Sequence, residues 1–299
     1  MRACKVLICV IVLLSNLNAS FLLSGGATLS EPAYFTWSYY FYKKKGTTVY
    51  YDSIGSFPGI KKLKLNSIDF TSSDNKLSDD TLKKNELVQF PTLITTIDIV
   101  HNIPEIKDDF LKLTNETIAK IYNAEIKYWD NPSIISLNKD IKLPHKRIVV
   151  VVRKGDSGTT YYFTKHLKKT TKNWNKIGTT KSLELSHAVY GIKNEGVSAK
   201  VKEIPYSIGY IPAPYRILNK HSSISIQDLQ GKWKKSLEID YPIKVINYTI
   251  TSKKSIKNNK IFVEFFNWVF TSGDRYIKEL GYIPLNSNIK KGYYNLFLK

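Results

Sequence analysis

The sequence predicts an α/β fold built on a largely parallel sheet. Strand-like and helix-like segments alternate along the chain. Ile148–Val152 is a run of β-branched apolar residues, the kind buried on both faces inside a parallel sheet. Three strands also run into short turns of small and hydroxylated residues that open helices. No internal repeat or long low-complexity linker breaks this pattern. The 299 residues, 42% hydrophobic and 13% aromatic, suffice for one large or two medium domains.

Taken in order, residues 1–19 stand apart from the core. Arg2 and Lys5 give a basic start, Val6–Leu14 an apolar run, and Asn16–Ala19 a polar end with a small residue at Ala19. The run is shorter than the roughly 20 residues a bilayer span needs, so it reads as a secretory signal peptide cut near Ala19. The product is expected to be exported and soluble, in a periplasm or an extracellular compartment. Both cysteines, Cys4 and Cys9, fall in this segment, so a mature chain without disulfide or thiolate metal site is expected.

Pro32 suits the first turn of a helix running to about Tyr42, with Tyr34, Trp37 and Phe41 on one face. Thr48–Tyr51 reads as a strand and Gly59–Leu65 as the start of a helix, with Pro58 suited to its first turn. Ser67–Phe70 reads as a short strand before a polar loop at Thr71–Asp74. Leu93–Val100 is an apolar run suited to carrying the chain from one lobe to another. Asn115–Tyr122 is a helix opened by Thr114 or Asn115, and Trp129-Asp130-Asn131-Pro132 is a turn. Phe262–Phe270, apolar on nearly every side, predicts a deeply buried helix stopped near Gly273.

The three polar turns are Gly25–Thr28, Ile54–Ser56 and Arg153–Thr159. A helix start presents unpartnered N–H groups and the positive end of the macrodipole, both attractive to an anion. Ser and Thr are also ordinary capping residues, and an arginine at a strand end is often merely solvated. Three such loops exceed what capping alone requires, which makes a shared anion site at the carboxyl ends of the strands the better reading. The net charge of +20, from 45 Lys+Arg against 25 Asp+Glu, does not identify the ligand. The lysines are scattered without a long basic block, so a solvated Lys-rich surface is favoured over a nucleic-acid face.

An ordered series of short motifs resembles the periplasmic phosphate-binding protein of the bacterial phosphate ABC transporter. Gly26-Ala27-Thr28-Leu29 is similar to that family's Gly-Ala-Thr-Phe opening, and Tyr51–Ser56 to its second loop. Asp69-Phe70-Thr71-Ser72-Ser73-Asp74 resembles its Asp-Phe-Gly-Ala-Ser-Asp segment. Phe90-Pro91-Thr92, Asn102-Ile103-Pro104, Lys127–Asp130, Asn194–Val197, Ile208–Tyr210, Tyr241–Ile243, Phe265–Trp268 and Gly281–Leu285 follow in family order. The resemblance implies a two-lobed periplasmic-binding-protein fold of type II, with a hinge and a ligand cleft between lobes. It implies a discontinuous first lobe of residues 20–93 plus 248–299 and a second lobe of residues 94–247. It further implies capture of inorganic phosphate by a monomer for uptake through an ABC transporter permease, with no cofactor, no metal and no catalysis. The implied ligand residues are Thr28, Leu29 through its amide, Ser56, Asp74, Arg153, Ser157, Gly158 and Thr159.

The residue types suit those roles. Arg153 offers charge and a planar donor fork, Thr28, Ser56, Ser157 and Thr159 offer hydroxyls, and Leu29 and Gly158 offer amides. Asp74 suits a ligand that carries its own proton, which phosphate does near neutral pH and sulfate does not. The chain departs from the family pattern at Gly155, where an acidic residue usually braces the arginine; Asp156 is expected to take over that bracing. Phe57 and Pro58 replace small residues, Pro212 and Pro214 crowd a region usually acidic in the family, and the chain is shorter between about Gly231 and Tyr241.

Rival readings are a phosphatase, a trypsin-like hydrolase suggested by Gly155-Asp156-Ser157-Gly158, and a secreted phosphate scavenger or adhesion protein without a transporter. The five histidines sit in no matching catalytic context, and no Asp/His cluster has metal-ligand spacing. Asn115-Glu116-Thr117 and Asn247-Tyr248-Thr249 are glycosylation triplets, read as chance in an asparagine-rich chain.

Overall fold

A computed structural model describes residues 21–106, 110–238 and 240–297 of the chain. The expected signal peptide and both cysteines lie outside the described residues. One nine-stranded sheet organises the rest. Its strands are β1 (Phe21–Gly26), β2 (Thr48–Asp52), β3 (Phe70–Ser73), β4 (Leu87–His101), β6 (Val149–Lys154), β7 (Val189–Ile192), β8 (Ser207–Pro212), β9 (Ser222–Ser223) and β12 (Lys244–Ser252). Three short strands, β5 (Lys112–Leu113), β10 (Ser225–Gln227) and β11 (Trp233–Lys234), form a second sheet.

The order of the large sheet is β2-β1-β3-β12-β4-β8-β6-β7, with β9 beside β4. β4 is its backbone. Its first part, Leu87–Thr96, pairs antiparallel with β12, and its last part, Ile97–His101, pairs antiparallel with β8. On one side of that changeover β1 runs parallel to β2 and β3; on the other β6 runs parallel to β7 and β8. Parallel strands place their following loops at one edge, so each half carries a row of strand ends and helix starts facing the other.

Local chemistry accounts for most boundaries. The first helix runs from Glu31 to Lys45 rather than to Tyr42, because Lys43–Lys45 complement the negative end of its dipole. It buries Tyr34, Trp37 and Phe41 completely. The second helix begins at Ser56, earlier than Gly59, since Gly55 turns the chain at φ 95°, a conformation glycine adopts without strain. Thr114 caps the Asn115–Tyr122 helix, accepting from the Thr117 amide.

Two expectations fail instructively. β3 occupies Phe70–Ser73, so the residues read as a polar loop form a central strand between β1 and β12. Thr71, Ser72 and Ser73 are fully buried there. Ser72 Oγ lies 2.6 Å from Ser30 Oγ and also meets the Tyr51 hydroxyl, which removes the cost of burying it. The helix Lys260–Trp268 likewise does not stop at Gly273. It widens into a π-turn over Val269–Gly273 and continues through Asp274–Ile277. Trp37 Nε1 donates to the Gly273 carbonyl at 3.1 Å, and a side chain at Gly273 would crowd the indole. Phe262, Phe265, Phe266 and Phe270 bury their rings against Phe41, Phe70 and Phe90.

Candidate functional site

Four strand ends converge. β1 delivers Ala27 and Thr28, β2 leads to Ile54–Ser56, β3 ends just before Asp74, and β6 ends around Arg153, with Ser157 and Gly158 opening the Gly158–Thr170 helix. Together they enclose a cavity of about 250 Å3. Of the residues expected at an anion site, Thr28, Ser56, Asp74, Arg153, Ser157 and Gly158 line it. Leu29 and Thr159 stand one residue behind this lining: Leu29 is buried in the turn Thr28–Ser30, and Thr159 in the first turn of its helix.

Arg153 crosses between the halves. It is 7% exposed, and its Nη1 donates to Thr28 Oγ1 at 3.0 Å and to Asn194 Oδ1 at 3.2 Å. Asn194 Nδ2 in turn donates to Thr28 Oγ1 at 2.9 Å, and Thr159 Oγ1 donates to Asn194 Oδ1 at 3.1 Å. Thr159 thus acts through Asn194. Asp156 does not brace the guanidinium as anticipated: it is exposed at the cavity rim, and the brace is the Asn194 carboxamide. The Arg153 Nε is buried with no hydrogen-bond acceptor. Such a donor costs on the order of 1–3 kcal/mol unless an acceptor reaches it. Burial lowers the Arg153 pKa, with Asp74 opposing the shift; a guanidinium nonetheless remains charged.

Asp74 is 3% exposed and accepts from Asn247 Nδ2 at 3.0 Å through Oδ1. Burial pushes its carboxyl up to about 6, against the pull of Asn247 and of the Arg153 charge. Gly158 faces it so closely that a methyl group there would overlap the carboxylate. Ser56 Oγ accepts from the Asp74 amide at 3.3 Å. Ser157 Oγ accepts from the Thr160 amide at 3.3 Å, so the helix cap is present, yet its hydroxyl proton is still available to donate into the cavity. Tyr162 OH donates to the Asp74 carbonyl at 2.9 Å, a further bond between the halves.

Asn194, Asn247 and Tyr162 went unassigned at the sequence level. Asn194 sits in a recognisable motif but on a helix start that gives no hint of reaching Arg153. Asn247 was noticed only as a glycosylation triplet; it is fully buried, as is nearly all of Asn115, whose Nδ2 donates to the Gln227 carbonyl at 3.1 Å. Neither amide is presented for glycan transfer. None of the five histidines lines the cavity. Among the described residues no cluster of three or more His, Cys, Asp or Glu is arranged to hold a metal, and no helix is long and apolar enough to cross a membrane.

A crossing strand, two facing rows of helix starts and a cavity between them that carries a guanidinium, a carboxylate and hydroxyls define a two-lobed solute-binding protein. A family model for the PBP superfamily domain matches residues 16–299. The phosphate-binding protein PstS of Haemophilus influenzae is 32% identical, the match covering 91% of each chain. That of Pasteurella multocida is 31% identical over 91% of this chain and 88% of its own. The chain belongs to this family of phosphate-binding proteins. In fold it is similar to a phosphate ABC transporter substrate-binding protein with bound phosphate from Clostridium perfringens, with a TM-score of 0.68 at 18% identity over 89% of this chain and all of the other. It is also similar to the phosphate-bound protein PfluDING, with a TM-score of 0.69 at 17% identity over 92% and 93% of the two chains.

Proposed function

We propose that this chain is an exported solute-binding protein that captures inorganic phosphate in the interlobe cleft and delivers it to an ABC transporter. The observation that carries this reading is the pairing, across one cavity, of a buried guanidinium with an unpartnered Nε and a buried carboxylate. A cation alone would suit any anion. The carboxylate suits one that brings a proton. Residues 20–93 with 248–299 form one lobe and 94–247 the other, with β4 and β12 crossing between them. Thr28, Ser56, Ser157 and the amides of Leu29 and Gly158 supply neutral donors, with Thr159 supporting the site through its bond to Asn194. Residues 1–19 act as the export signal.

Binding involves no covalent step. The lobes close over the ligand, and hydrogen bonds replace the hydration shell of the anion. Titration calorimetry against phosphate, arsenate, sulfate and a phosphate ester tests this directly. Phosphate and arsenate should bind, and sulfate should not; the absence of phosphate binding, or Ser157-dependent turnover of the ester, would overturn it.

Asp74 gives that selectivity a pH dependence. Above about 6 the carboxylate is ionised, accepts the phosphate proton and repels sulfate. As the pH falls through about 6, Asp74 takes up a proton of its own and turns into a donor, so rejection of sulfate should relax. Asp74→Asn should weaken phosphate binding by about 1–3 kcal/mol and narrow its preference over sulfate at neutral pH. Calorimetry showing unchanged selectivity would remove Asp74 from this role.

A further inference from the structure

We infer that Tyr162 and Tyr215 are positioning residues that tie the two lobes together over bound phosphate, setting how long the ligand is held without taking part in choosing it. The inference rests on the phosphate-binding reading and its division into lobes, and adds the groups that govern release. Each tyrosine belongs to the lobe of residues 94–247 and donates to a main-chain carbonyl of the other lobe. Tyr215 OH lies 2.8 Å from the Thr28 carbonyl and 2.8 Å from Glu31 Oε2. Tyr162 OH donates to the Asp74 carbonyl at 2.9 Å. Neither tyrosine lines the cavity.

The bonds between the lobes therefore fall into two kinds. Arg153 Nη1 and Asn194 Nδ2 both donate to Thr28 Oγ1, at the cavity wall. An anion that draws the guanidinium toward itself competes with the first of these bonds. The tyrosine bonds end instead on the main-chain oxygens of Thr28 and Asp74, residues that line the cavity. Phosphate in the cavity does not compete for hydroxyls that lie outside its lining, so these bonds persist with the ligand in place. Opening must break them.

The rings are held in their own lobe, and only the hydroxyls cross. Tyr215 is 4% exposed and packs with Val100, Val151, Val197, Val201 and Ile211. Pro214 sits in the first turn of the Ala213–Asn219 helix and fixes the backbone from which the Tyr215 ring departs, a role for a proline that the family pattern lacks. Tyr162 is half-buried one turn into the Gly158–Thr170 helix, edge to face with Tyr161 at 5.4 Å and with Lys165 Nζ 6.0 Å from its ring. The Glu31 carboxylate adds a charge-assisted acceptor to the Tyr215 bond, which makes it the stronger tie.

The test compares the full protein with Tyr215→Phe and Tyr162→Phe, which remove the hydroxyl and keep the ring. Each is loaded with radiolabelled phosphate, chased with unlabelled phosphate and filtered to read the release rate. Release should quicken about tenfold or more in Tyr215→Phe and about three- to tenfold in Tyr162→Phe. Dissociation constants from calorimetry should rise in proportion, and equally for phosphate and arsenate. A lowered melting temperature with unchanged release would leave the tyrosines a role in stability alone and overturn the inference. A loss that differs between phosphate and arsenate would also overturn it, by placing the hydroxyls in the ligand shell. If the unaltered protein binds phosphate and both variants release it at the same rate, the ties fail while phosphate capture stands. If the unaltered protein binds none, both readings fail. Either variant alone suffices if the other does not fold.

Discussion

Arg153→Ala is expected to weaken phosphate binding by roughly 2–5 kcal/mol, about thirty- to several-thousand-fold in dissociation constant. Three losses combine. The anion loses its charge-assisted donors, Asp74 faces the cavity without its counter-charge, and Thr28 and Asn194 each lose a hydrogen bond from the guanidinium, keeping only the one between themselves. Arg153→Lys restores charge without the planar fork, so it should recover only part of the loss. Titration calorimetry measures both variants. A loss below tenfold in Arg153→Ala would exclude the guanidinium from the ligand shell.

Trp37→Ala is expected to lower the stability of the protein by about 3–5 kcal/mol. Trp37 is fully buried, meets Tyr34 edge to face at a centroid distance of 5.3 Å, and donates through Nε1 to the Gly273 carbonyl. Removing it leaves a large cavity and orphans a carbonyl in the widened turn of Val269–Gly273. Denaturant unfolding followed by circular dichroism reads the change. A shift under 1 kcal/mol (a bound set against the about 3–5 kcal/mol expected for a buried tryptophan) would mean that the early helix and the late helical segment are not held together as described.

The segments legible from sequence are those whose instructions are local. Thr114 opens the Asn115–Tyr122 helix as its capping chemistry requires, and the apolar run before Arg153 forms a strand between parallel neighbours. Turn residues at 25–28, 54–56 and 153–159 announced helix starts, and these converge on the cavity. The polar strand Phe70–Ser73 was missed because Ser72 is satisfied by Ser30 and Tyr51, distant in sequence. Asn194 was missed as the Arg153 brace for the same reason, and Asp156 was favoured only by its nearness along the chain. The exposed Phe57 at the cavity rim, 78% exposed, is legible as a departure but has no structural account here.

Capping, periodicity and turn composition act over a few residues, so the chain's own order was enough to specify its helix starts, its parallel strands and the kinds of donor available to an anion. Which donors meet could not be read that way. The contact of Arg153 with Thr28, of Asp74 with Asn247, and of Tyr162 with the Asp74 carbonyl joins residues far apart in the chain. Such pairs form only once the crossing strand has set the two halves of the sheet face to face, because electrostatic and hydrogen-bond energies depend on distance in space and on burial, neither of which is carried by sequence separation.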